Sequence, residues 1–102
     1  MNNAAILSFV LRARNRLSVL NALIPGRMFS TQIEQQTGMY KSHVSRALSE
    51  LGEKKLTTCI NPQDRSYKFY KLTPYGKRIT LEANKLLAMK VKKKSKESTS
   101  ST

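Results

Sequence analysis

The sequence has 102 residues, with 19 Lys+Arg against 6 Asp+Glu and a formal net charge of +13. That length holds one domain and excludes two separate cores, while 7% aromatics and no Trp suit a small helical core better than a β-sandwich. A balance this basic opposes compaction by self-repulsion and points to a polyanionic partner, nucleic acid before an anionic membrane.

Other classes fall away on residue counts. One cysteine, Cys59, forms no internal disulfide, and with a single histidine, His43, it builds no zinc site. No metal and no cofactor are expected. The six carboxylates are scattered and no nucleophile–base pair stands out, so the chain is not expected to be an enzyme. The apolar stretch Ala4 to Leu11 is far too short for a membrane span, and Arg12, Arg14 and Arg16 after it argue against a cleaved signal peptide. No membrane partner is expected, and the expected location is cytoplasmic, on the nucleoid. No phosphate-binding glycine loop is present, and Pro25-Gly26-Arg27 reads as an inter-helix turn.

In chain order, Ile6, Val10, Ala13, Leu17, Leu20 and Ile24 recur at alternating spacings of four and three, which predicts one helix from about Ala4 to Leu23. Its first two turns are apolar nearly all round through Ile6, Leu7, Phe9 and Leu11, as in a helix covered by a partner or by the rest of its own chain. Ser30 or Thr31 then starts a short helix, Thr31 and Glu34 fitting a capping box, and Gly38 ends it in a left-handed conformation. A third helix runs from about Lys41 to Lys55 with Val44, Leu48 and Leu51 on one face. Its opposite face carries Ser42, Arg46, Ser49 and Glu53, flanked by His43 and Ser45.

After Leu56 the period changes. The runs Thr57–Ile60 and Tyr67–Leu72 are β-branched and aromatic, flank a turn-rich loop over 61–66, and predict a hairpin. Cys59 on its first strand is expected as a small buried thiol. Thr73 caps a last helix with Pro74 at its first position, running to about Val91 with Ile79, Ala83, Leu86 and Leu87 on one side. Residues 92–102 contain no apolar side chain and are expected to be a disordered Lys/Ser/Thr-rich tail, leaving 1–91 as a single domain. From Lys90 on, five lysines against Glu97 make a net +4, so residues 1–89 keep +9 of the +13 and are basic by themselves.

Helix, short helix, glycine turn, helix, hairpin, helix is the order of a winged helix-turn-helix. Ile33, Gly38, Val44, Leu48, Leu51 and Leu56 have the spacing of its core, and Val44-Ser45-Arg46 resembles the V-S-R of many recognition helices. Asp64-Arg65, then Leu72-Thr73 and Gly76, resembles the D-R…L-T-x-x-G signature of the MarR family of transcriptional regulators, with PadR-like and archaeal Lrs-like proteins as relatives. The resemblance covers roughly residues 15 to 80. It implies an α+β, mainly α fold: a winged helix-turn-helix with a two-stranded hairpin wing and terminal helices for dimerisation. The family's helices are longer at both ends, so its effector pocket is not carried over; a small-molecule effector is not expected. Where many members cap the recognition helix with Ser or Thr, this chain has Tyr40, and the cap is expected to shift to Ser42.

The resemblance implies a transcriptional regulator that binds double-stranded DNA as a homodimer, with the third helix in the major groove. Arg46 is then the candidate for bidentate contact with guanine. Lys41, Ser42, His43, Ser45 and Ser49 are expected at phosphates or bases, Arg65 in the minor groove and Lys68, with Lys71, at flanking phosphates. Asp64 is expected to orient Arg65 or fix the turn. The plain alternative is a solvated amphipathic face, but no acid stands between Lys41 and Ser49. A structural DNA-coating protein and an RNA-binding module on the same fold are the competing functions.

Overall fold

The computed structural model describes the backbone of residues 3–100 and the side chains of residues 3–89. Five helices and three short strands follow in order: α1 (Asn3–Arg12), α2 (Arg14–Ala22), β1 (Met28–Phe29), α3 (Ser30–Thr37), α4 (Lys41–Glu53), β2 (Thr57–Cys59), β3 (Phe69–Leu72) and α5 (Pro74–Ser100). The sheet is antiparallel with β3 in the centre, Phe29 opposite Phe69 and Cys59 opposite Tyr70.

The single N-terminal helix predicted over 4–23 is two helices. Ala13 takes an extended conformation (φ −125°, ψ 111°) and breaks it. Arg16 supplies the reason. Its Nη1 donates to the Phe9 carbonyl at 2.6 Å and its guanidinium lies 3.8 Å from the centre of the Phe9 ring, while Nε meets Glu50 Oε1 of α4 at 3.2 Å. The two halves of the apolar stripe then serve different neighbours. Ile6 and Val10 are buried where α1 lies on α5, and Val19 and Leu20 are buried on α2, which packs on α4 and α5. Ile33, Val44, Leu51, Leu56 and Ile79, all fully buried, complete the core.

Four local expectations are corrected. Neither Ser30 nor Thr31 caps α3: Phe29 holds that position, fixed in β1 by its pairing, and its N–H donates to Gln32 Oε1 at 2.8 Å. The wing hairpin is joined by β1 as a third strand, because Met28 and Phe29 find a partner in β3. Cys59 is half-buried rather than buried, with Sγ 3.9 Å from Asn61 Oδ1. The backbone of α5 is helical through Ser100, beyond the end predicted near 91, and no Gly or Pro after Gly76 interrupts it. Residues 101–102 of the expected tail lie outside the described residues.

The junction of α4 and α5 is set by backbone chemistry. Past Glu53, Lys55 is left-handed (φ 61°). The Lys55 N–H donates to the Gly52 carbonyl and the Leu56 N–H to that of Leu51, both at 3.0 Å. This is a Schellman closure, with Leu51 and Leu56 as its buried apolar pair. As expected, Thr73 caps α5: its Oγ1 accepts from the Gly76 N–H at 2.9 Å and donates to the Lys55 carbonyl at 2.7 Å.

Candidate nucleic-acid interface

The position of α4 follows from the turn before it. Gly38 is left-handed (φ 74°) as expected, and its N–H donates to the Glu34 carbonyl at 2.8 Å. Thr37 Oγ1 donates to the Ile33 carbonyl and accepts from the Met39 N–H. The cap is Tyr40 and not Ser42, because the Tyr40 carbonyl accepts from the N–H groups of His43 and Val44, at 3.0 Å each, and so starts the helix at Lys41. Tyr40 makes no side-chain capping bond, and Ser42 lies inside the first turn.

Val44, Ala47, Leu48 and Leu51 anchor α4 in the core. Lys41, Ser42, His43, Ser45, Arg46 and Ser49 are all exposed, so the structure gathers all six candidates of this helix on its solvent side. The acids near its end do not oppose them equally: Glu50 is engaged by Arg16, and Glu53 lies in the last turn. Arg16–Glu50 is the one ion pair among the described residues, so none of Lys41, Arg46, Arg65 and Lys68 is held in one there.

The wing is held by two side chains. Asn61 Nδ2 donates to the Tyr67 carbonyl at 2.7 Å, and its Oδ1 accepts from the Phe69 N–H at 2.8 Å. Asp64 Oδ1 accepts from the N–H groups of Tyr67 and Ser66, at 3.0 and 2.9 Å. These bonds, that of Tyr67 first, with a smaller contribution from the charge of Lys68, hold the Asp64 carboxyl below its ordinary pKa. Asp64 therefore fixes the turn, one of the two roles expected of it, and leaves Arg65 exposed at the tip. Lys68 and Lys71 are exposed on the returning segment. At its base Phe29 stacks on Phe69 (centroids 3.9 Å apart), and Arg27 lies 5.0 Å from the Phe69 ring.

Two exposed aromatics beside this surface escape sequence reasoning: Tyr40 at 77% exposure and Tyr67 at 66%. For Tyr40 the departure from Ser or Thr at the cap was the available signal. Among the described residues no cluster of His, Cys, Asp and Glu could hold a metal, and no helix is long and apolar enough to cross a membrane.

The fold is shared with solved winged-helix structures. The transcriptional regulator BldR from Sulfolobus solfataricus superposes with a TM-score of 0.74 at 24% identity, over 85% of this chain and 64% of that one. BpsR of Bordetella bronchiseptica, whose DNA binding is regulated by 6-hydroxynicotinic acid, gives 0.70 at 22% identity, over 78% and 61%. The transcriptional repressor BigR from Xylella fastidiosa gives 0.68 at 22% identity, over 85% of each chain. The chain shares the winged-helix fold of these proteins. It spans less than two thirds of the length of BldR and BpsR. No protein-family model matches the sequence, and neither does any curated protein.

Proposed function

We propose that the chain is a sequence-specific transcriptional regulator that binds double-stranded DNA as a homodimer, with α4 in the major groove and the wing over 61–66 in the minor groove. One observation carries it. Six exposed polar or basic side chains, Lys41, Ser42, His43, Ser45, Arg46 and Ser49, occupy the solvent side of a helix whose other side is locked into the core. The depth of that anchoring matters, since a rigid helix presents its side chains to base edges in one register. The wing adds Arg65, aimed into solvent by a turn that Asp64 closes. The fold shared with BldR and BigR supports the same reading. A cytoplasmic location on the nucleoid follows from it.

The test is a selection of bound duplexes followed by titration of the full chain against selected and random DNA. A regulator prefers its site by ~1,000-fold or more. Arg46→Ala should cost about 1–3 kcal/mol on that site and relax preference at one base position. Arg65→Ala should weaken binding most where the flanks are A·T-rich. Equal losses on all sequences favour a DNA-coating protein, for which +13 on 102 residues is apt. Structured RNA competing better than duplex transfers the surface to RNA.

A further inference from the structure

The largest exposed side chain beside α4 has no function in the fold. Tyr40 is 77% exposed and makes no capping bond, and the turn it occupies is fixed by its backbone carbonyl. Its ring instead meets the imidazole of His43 edge-to-face, with centroids 5.8 Å apart and planes at 68°. His43 is exposed too, so the two rings stand together in solvent at the N-terminal end of α4. They flank a face whose other members, Ser42, Arg46 and Ser49, offer hydrogen bonds and charge but no apolar surface.

We propose that the Tyr40–His43 pair is a second base-reading element, one that takes a thymine C5-methyl group in the major groove; this rests on the DNA-binding function above. The N-terminal residues of a groove-bound helix are those that meet base edges. Among the major-groove edges of the four bases the thymine methyl is the apolar group, and an apolar side chain recognises it by contact. The edge-to-face contact restrains the Tyr40 ring before binding, so little rotamer freedom is lost when a methyl packs on it. Arg46, by contrast, reads hydrogen-bond acceptors, and the two together would distinguish thymine from guanine positions along one half-site.

Replacing single thymines by uracil in the tightest selected duplex removes the methyl alone and gives a direct test with the full chain. One position per half-site should weaken wild-type binding by about fourfold, the value of burying one carbon group. In Tyr40→Ala that penalty should vanish, while Tyr40→Phe should keep it, since the ring and not the hydroxyl makes the contact. Three outcomes overturn the proposal: no uracil position matters, the penalty persists in Tyr40→Ala, or Tyr40→Phe loses as much as Tyr40→Ala. The last would make Tyr40 a hydroxyl donor to phosphate. Site preference retained without any methyl penalty removes this proposal alone. Failure to prefer any duplex over random DNA removes the regulator function and this element with it.

Discussion

A Cβ placed on Gly76 would overlap the carbonyl oxygen of Leu56, so the first turn of α5 rests directly on the backbone that closes α4. The same carbonyl accepts from the Thr73 N–H at 3.1 Å, with Thr73 Oγ1 3.3 Å away. The candidate recognition helix and the long C-terminal helix are thus joined through main chain, which cannot rotate aside as a side chain can. The Thr73…Gly76 spacing of the sequence is the chemical record of this approach: one residue supplies the hydroxyl, the other the missing side chain.

Gly76→Ala therefore sets two effects against each other. Helix propensity favours alanine by about 1 kcal/mol, whereas forcing a methyl into occupied space costs about 1–3 kcal/mol, with the upper end expected where backbone must move. The clash wins, and denaturant unfolding should show a net loss of about 1–2 kcal/mol. An unchanged or higher midpoint would mean that α5 does not sit on Leu56 in solution.

Lys55 gives the opposite expectation. It holds a left-handed conformation at φ 61° in the Schellman closure of α4, where glycine pays no Cβ penalty. Its side chain is exposed, so little packing is lost. Lys55→Gly should raise stability by about 0.5–1 kcal/mol at an unchanged denaturant slope. A loss of stability would show that the turn is not left-handed.

What the sequence disclosed and what it hid divide along one physical line. Gly38, Thr73-Pro74 and the two faces of α4 were legible because each depends on residues within a few positions. The break at Ala13 was not, because the apolar period runs straight through it and its cause lies in Arg16 reaching Glu50, 34 positions away. β1 was equally hidden: two residues leave no period, and they are a strand only because Phe69 and Tyr70 pair with them. At the candidate interface, charge and periodicity located the face of α4 and the wing tip. Tyr40 was passed over as a misplaced cap, since its exposure is a fact of the folded chain.

Asp64 ties the wing to pH. Its pKa is lowered from 3.8 by the N–H groups of Tyr67 and Ser66, so the ionised form is the one that closes the turn. That contribution is complete above 3.8 and fades as pH falls through the lowered native value. Between about pH 5 and 8 Asp64 should impose no pH dependence on DNA binding, because it stays ionised throughout. Asp64→Ala should speed hydrogen exchange at the Ser66 and Tyr67 amides. In a double-mutant cycle with Arg65→Ala the losses in duplex affinity should fall short of additive, since Asp64 acts by presenting Arg65. Full additivity would assign the two residues separate functions.

The last prediction concerns assembly, where the apolar stripes of the two ends divide. Within one chain α1 covers part of α5, burying Ile6, Val10, Ile79 and Ala83, so these four residues need no second copy. Farther along the same side of α5, Leu86 and Leu87 remain 44% and 39% exposed, and Leu81 and Met89 are exposed elsewhere on the helix. Side chains of this size grouped on one helix are what soluble monomers rarely leave to water. In the proposed homodimer, a two-fold pairing through the distal part of α5 would bury Leu86 and Leu87 against their own copies, and its two α4 helices would have to meet successive major grooves, ~34 Å apart on DNA. Sedimentation equilibrium at micromolar concentration should then give twice the 11.6 kDa of the chain. Leu86→Asp should weaken the dimer at least tenfold, about 1.4 kcal/mol or more, and leave the circular dichroism of the dilute protein unchanged, because that side chain is already half in water. Ile79→Asp, at a fully buried position, is the contrasting control and should unfold the chain. A mass that stays at 11.6 kDa with and without Leu86→Asp would overturn the homodimer.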